Sequence, residues 1–173
     1  MGNLKKVTHF FVFSFKILYL YLYIHIHKLH LVIWKKSFIF VPMINVTYAI
    51  TVCNELTEIT TLIDFLKDKI GEEDEILIQY DSDSTTDAVK SYLDIISQIH
   101  ASKIKVIGFP LNKDFASYKN NLKNHAKGIF IFQIDADETP TEYMVENIHQ
   151  LLEYNKEVDL FFVPRINTVT GLT

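Results

Sequence analysis

Cysteine is almost missing: Cys53 stands alone among 173 residues. That excludes an internal disulfide framework, and one thiol cannot assemble a zinc cluster. Glycine is scarce as well, and no G-x-G-x-x-G or G-K-S/T run occurs, which excludes a glycine-rich phosphate cradle. Acid is absent from residues 1–42, which hold six lysines. Residues 43–173 therefore carry 11 basic and all 21 acidic side chains, a net charge of −10. An acidic segment of this kind is a poor general binder of nucleic acid, because phosphate contacts need Lys and Arg. It can still hold a phosphate ligand where a divalent cation bridges the two. What remains is ordinary globular material, 49% hydrophobic and 22% charged, enough for one domain with a real core.

Residues 1–42 read as a hydrophobic, basic leader. From Phe10 to Ile26 the chain is nearly all apolar, broken by Lys16 and His25, with lysines on both flanks. As a membrane anchor it is at the short limit for a span. Its Phe, Ile, Leu and Val residues favour insertion by roughly 3–7 kcal/mol, against about 2.5–3.5 for one central lysine. Two other readings stand beside it. Leu18 to His27 alternates with period two, which suits a strand or an interaction arm. Met43 precedes the first well-formed strand, so the leader also reads as an upstream stretch translated in frame. No small-residue cleavage site follows the apolar run, which argues against a signal peptide.

After Met43 the pattern predicts alternating strands and helices. Asn45–Val52 reads as a strand, followed by Asn54 as a helix cap and an apolar helical stripe from Leu56 to Ile70, stopped by Gly71. Ile76–Tyr80 is a second strand. Ser84 then opens a helix whose inner face is Val89, Leu93, Ile96 and Ile99. Ile104–Phe109 is a third strand. Asp114 caps a helix burying Phe115, Tyr118, Leu122 and Ala126, with Gly128 as its stop. Ile129–Ile134, apolar but for Gln133, predicts a central strand covered on both faces. Thr139-Pro140-Thr141-Glu142 starts a helix with a stripe of Val145, Ile148, Leu151 and Leu152. Asp159–Val163 reads as a last strand. The expected fold class is α/β: a three-layer α/β/α sandwich around a mostly parallel sheet.

Ligands of such sheets sit at the carboxyl ends of the strands. Those ends carry Cys53-Asn54-Glu55, Asp81-Ser82-Asp83-Ser84-Thr85, the 110–114 loop, and Asp135-Ala136-Asp137-Glu138. Asp135 and Asp137, two apart, lean to the same side, and like charges that close call for a cation between them. Mg²⁺ or Mn²⁺ is the natural partner, with substrate phosphate completing its shell. Plainer roles exist for each residue. Asp81 and Asp83 suit an Asx turn and helix cap, Glu55 an acid in a helix's first turn, and Lys119 a solvated helix face. Cys53 reads as a small core residue. His100, His125 and His149 show no ligand spacing and read as structural.

The order of these segments resembles the family 2 glycosyltransferases, whose nucleotide-binding domain has the GT-A fold. The resemblance runs over about 43–170. Ala49-Ile50-Thr51-Val52-Cys53-Asn54-Glu55 looks like the family's first strand and its nucleotide-contacting end. Asp81-Ser82-Asp83-Ser84-Thr85 is similar to its D-S-x-S-T segment, and Phe115-Ala116-Ser117-Tyr118-Lys119-Asn120 to the helix ahead of the metal strand. Ile131 to Glu138 matches the D-x-D strand itself. Lys119 stands where the family often has Arg, and Asp83 where it commonly has Gly.

The resemblance implies transfer of a sugar from a nucleotide-diphosphate donor, a UDP-sugar first, to a hydroxyl of a glycan, lipid or protein acceptor, with inversion. Glu55, Asp81, Asp83, Lys119 and Asp135 would form the nucleotide-sugar site, and Asp135 with Asp137 would hold the metal. The family places its acceptor region and acidic general base later than the last residue given, Thr173. The base is therefore expected beyond Thr173, no residue here is named for that role, and the domain reads as incomplete. Two rivals remain: a nucleotidyltransferase-like enzyme, and a non-catalytic nucleotide-binding fragment tethered to a membrane through residues 10–26. The expected location is cytoplasmic, with membrane association if the leader is an anchor.

Overall fold

The computed structural model describes residues 45–166. The expectations about residues 1–42, the apolar run 10–26 included, lie outside the described residues. So does the expectation of a general base beyond Thr173, since Thr173 itself falls outside them. Among the described residues no helix is long and apolar enough to cross a membrane. In chain order the elements are β1 (Val46–Val52), α1 (Leu56–Lys67), β2 (Glu75–Asp81), α2 (Asp87–Ile99), β3 (Ile104–Phe109), α3 (Phe115–His125), β4 (Phe130–Asp135) and α4 (Glu142–Tyr154).

The four strands form one sheet in the order β3-β2-β1-β4, every pairing parallel. Parallel neighbours need crossovers, and each crossover here is a helix. Strand alternation then sorts the side chains. Val46, Tyr48, Ile50 and Val52 of β1, with Ile76, Ile78, Ile104 and Ile134 of its neighbours, point into one apolar layer. Helices α1, α2 and α4 close that layer with Ile59, Leu62, Ile63, Leu66, Val89, Leu93, Ile96, Val145, Ile148 and Leu152. Each such side chain, taken fully out of water, stabilises the fold by roughly 1.5–3 kcal/mol before entropy is counted. The opposite face is thinner: Ala49 and Leu77 pack on Leu122 of α3, with Ile107 and Ala126 alongside. The result is a three-layer α/β/α sandwich.

Several boundaries and burials differ from the sequence expectation. Asp159–Val163 forms no strand; it is irregular, with Leu160 67% and Phe162 90% exposed. A strand exists only beside a partner, and no described strand is paired with it. Strand β4 lies at the edge of the described sheet rather than at its centre, and Ile131 is correspondingly exposed. Phe115, Ile99 and Leu151 are exposed too. Phe115 is the first residue of α3, whose inner face belongs to Tyr118 and Leu122; Ile99 closes the last turn of α2.

Caps shift by a residue or two. Helix α1 ends at Lys67, ahead of Gly71, and Asn54 does not cap it; the residue before α1 is Glu55. Helix α2 begins after Thr86 rather than Ser84. Asp114 caps α3 as expected, accepting from the Ser117 N–H at 3.0 Å. Thr141, not Thr139, caps α4, its Oγ1 accepting from Met144 N–H at 3.3 Å. Gly128 follows the end of α3 but serves another purpose. A Cβ there would stand 2.5 Å from the Thr47 backbone nitrogen, so only glycine lets the chain re-enter beside β1.

Candidate functional site

The strand order fixes where a ligand would enter. From β1 the chain crosses outward to β2 and then β3, and β4 returns to the other side of β1. The direction reverses between β1 and β4, and the carboxyl ends of two such strands splay a crevice open. Thr51 and Asp135 are register partners at that point. Both project to the side of the sheet that carries α3, the same side as Ala49, and α3 brings Lys119 to meet them.

These three side chains form one cluster. Thr51 Oγ1 donates to Asp135 Oδ1 at 2.5 Å, and Lys119 Nζ donates to the same oxygen at 2.5 Å and to Thr51 Oγ1 at 3.1 Å. Burial alone would push the Asp135 carboxyl up. The hydrogen bonds from Lys119 and Thr51, with the charges of Lys119 and Arg165, outweigh it and hold the carboxyl below the usual range. Asp135 is therefore an anion with one oxygen already saturated. Asp137, two residues on, is exposed, and no partner for its carboxylate occurs among the described residues. Ala136 between them is buried, its N–H donating to Thr51 O at 2.9 Å, which pins the turn to β1.

The D-S-x-S-T segment is held just as firmly. Asp81 is buried, and its Oδ1 accepts from Leu111 N–H at 3.1 Å and Asp83 N–H at 3.2 Å. Burial raises its pKa, but those two bonds, a third from Ser84 and the charge of Lys90 together carry it below the ordinary carboxylate value. The Asp83 contact is the Asx turn anticipated from the sequence. Asp83 itself is exposed, accepting only from Ser82 Oγ at 3.1 Å.

Glu55 folds back over the end of β1, its Oε2 accepting from Cys53 N–H at 2.8 Å and Asn54 N–H at 2.9 Å. Cys53 is half-buried rather than a core residue. Asn54 Oδ1 reaches across to accept from Thr86 N–H at 2.9 Å, tying the ends of β1 and β2 together.

The sequence alone assigns no site role to Thr51, Asn54, Glu138 or Arg165, and reads Asn54 as a helix cap. Thr51 had a signal: it is the last residue of β1 on the face of Thr47 and Ala49. Arg165 had little, standing two residues beyond a stretch that reads as a strand and forms none. No three His, Cys, Asp or Glu side chains among the described residues group closely enough to hold a metal ion by themselves. The strand end offers one engaged carboxylate and one free one. That donor set suits a hard divalent ion whose other ligands come from a bound diphosphate rather than from the protein.

Residues 47–173 match the family model described as glycosyl transferase family 2. The chain belongs to glycosyl transferase family 2. Among solved structures, this family 2 chain is similar to the mannosyltransferase PcManGT from Pyrobaculum calidifontis, determined in complex with GDP-Man and Mn²⁺. Identity is 20% over 62% of this chain and 32% of that one, with a TM-score of 0.52. It is similar also to S. aureus TarS 1-349, at 18% identity, covering 70% of this chain and 38% of that one, with a TM-score of 0.53. At such identities the likeness is one of fold, and the family 2 chain spans about a third of the length of each. No curated protein sequence matches it.

Proposed function

We propose that this chain is the donor-binding part of a family 2 glycosyltransferase, taking a nucleoside-diphosphate sugar with the help of Mn²⁺ or Mg²⁺. The observation that carries the reading is the cluster at the β1/β4 reversal, where an engaged Asp135 and a free Asp137 stand beside Lys119. A bound divalent ion would supply charge neutralisation of the diphosphate as it leaves the anomeric carbon.

Every other part falls to side chains. Asp137 would give the ion its direct protein oxygen, and Asp135, steadied by Lys119 and Thr51, would contribute the second. Asp81 is fixed by backbone N–H groups at the end of β2, where it would meet base or ribose. Asp83 and Glu55 line the same rim. Lys119 is poised to contact the diphosphate. Transfer to an acceptor hydroxyl, with inversion, needs a base that none of these residues provides. The acceptor, a glycan, lipid or protein, belongs to that later step. PcManGT, with its GDP-Man and Mn²⁺, supports a nucleotide sugar and a divalent ion in this fold; UDP is the donor nucleotide we propose to test first.

Calorimetric titration of the full chain with UDP, with and without Mn²⁺, tests the reading, repeated on Asp137→Ala. Binding that requires Mn²⁺ and vanishes in the variant is the expected outcome. Tight binding of UDP without metal, unchanged in the variant, would refute the metal part of the proposal. Turnover of a nucleotide sugar to the free nucleoside diphosphate separates the enzyme from a non-catalytic binding module, and a nucleotidyltransferase would instead release pyrophosphate from a nucleoside triphosphate supplied with a sugar phosphate.

A further inference from the structure

Arg165 is the chain's sole arginine, and the irregular segment after α4 carries it back to the carboxyl ends of the strands. Its guanidinium pairs with Glu138 Oε1 and lies 4.0 Å from Asp135 Oδ2. Glu138 is itself anchored, its other oxygen accepting from Asp135 N–H at 3.1 Å. Lys119 holds the other oxygen, Asp135 Oδ1. The acidic strand end is thus bracketed by two cations of different character. Lys119 is half-buried on a helix and shared with Thr51. Arg165 is 68% exposed, on an irregular segment, and its contact with Glu138 Oε1 is an ion pair without an aligned hydrogen bond.

That difference matters chemically. A part-exposed ion pair is weak, so its cation is cheap to reassign. A divalent ion on Asp135 and Asp137 would repel a guanidinium 4.0 Å from Asp135 Oδ2. It would also bring a diphosphate whose negative charge one divalent ion does not fully cancel. A planar guanidinium matches two phosphate oxygens at once, which an ammonium cannot do. We propose that Arg165 is a diphosphate-binding residue of the donor site, parked on Glu138 in the free protein and transferred to the diphosphate when metal and nucleotide bind. The proposal rests on the donor-site reading above. It assigns Arg165 two opposite effects, competitor of the metal alone and ligand of the metal–nucleotide pair.

Isothermal calorimetry on the full chain separates them, with Mn²⁺ alone and then with UDP (and GDP in parallel) at saturating Mn²⁺. Arg165→Gln is expected to bind Mn²⁺ alone more tightly than the parent chain, and the nucleoside diphosphate about 10- to 100-fold more weakly, as for loss of a charged hydrogen-bonding partner. Arg165→Lys should fall between. Uridine, which lacks the diphosphate, should bind parent and variant alike. Nucleotide affinity unchanged in Arg165→Gln, with the parent binding normally, overturns the role of Arg165 and leaves the donor site standing. A parent chain that binds neither nucleotide with Mn²⁺ overturns both. Matching far-ultraviolet circular dichroism and melting temperature show that the variants fold.

Discussion

Thr51 and Asp135 lie opposite one another in the β1–β4 ladder, and the hydroxyl of the first donates to the carboxylate of the second over 2.5 Å. Eighty-four residues separate them in sequence. The contact makes Asp135 part of the sheet's own fabric, whereas Asp137 stands clear of it. The two aspartates of the D-x-D segment therefore have different liabilities.

Asp137→Asn is expected to abolish metal-dependent nucleotide binding while leaving the melting temperature within a degree or so, because surface changes away from packing contacts are usually worth under about 0.5 kcal/mol. Asp135→Asn should lose binding and also stability, since it strips Lys119 and Thr51 of their shared acceptor. Parallel calorimetry and thermal melts would check the contrast. Equal melting losses in both would contradict the asymmetry.

Lys119→Met should release the Asp135 carboxyl upward from its lowered value, because the hydrogen bond and charge that offset burial would be gone. The cost in stability is expected to be about 0.5–1 kcal/mol, given how much of both side chains faces solvent. A carbon-detected NMR titration of the Asp135 side chain reads the first effect, and urea unfolding the second.

Acid should weaken the site end of the sheet. Asp81 and Asp135 are both held below the ordinary carboxylate value in the folded protein. A lowered folded pKa means the unfolded chain takes up the proton first. Their contribution is therefore fully present above about pH 4, the unfolded carboxylate value, and is lost as pH falls through the folded values. Stability measured by urea unfolding between pH 6 and pH 3 should decline at the acid end, and less so in an Asp81→Asn, Asp135→Asn double variant. A parallel decline in that variant would assign the acid sensitivity to other groups.

The opposite end of the strands offers a control. Asp74, its side chain fully buried, accepts from Val46 N–H at 2.9 Å, Gly71 N–H at 2.8 Å and His149 Nε2 at 2.8 Å. Asp74→Ala orphans two backbone donors and is expected to cost about 3–5 kcal/mol. His149→Gln, which keeps a donor, should cost about 1 kcal/mol. Neither should change nucleotide affinity in protein that remains folded, as assessed by calorimetry below the melting temperature.

The alternation of strands and helices was legible because each apolar stripe has one period and ends at a cap or turn. All four strands fell within a residue or two of their predicted places. Layer assignment was harder. Ile129–Ile134 looks fit for a buried centre, yet its position in the sheet depends on partners that the local pattern does not encode. The stretch Asp159–Val163 failed for a related reason: alternation makes a strand only when an edge is available to pair with it. At the site, Asp81, Lys119 and Asp135 could be placed by their position after strands or on α3. Thr51 carried a fainter mark, as the last β1 residue on the face of Thr47 and Ala49, and Arg165 reaches the site only through long-range return of the chain.

Strand β1 gains its two neighbours at very different times. As the chain leaves the ribosome, β2 can zip onto β1 across a gap of 28 residues, but the far side of β1 waits for β4, 84 residues downstream. Until then a Val- and Ile-bearing strand shows bare amides along one edge, the kind of template on which nascent chains stick to each other. Shielding by a chaperone would matter most in that interval. A translation pause that holds β4 inside the ribosomal exit tunnel should therefore lower soluble yield more than one made after β4 has emerged.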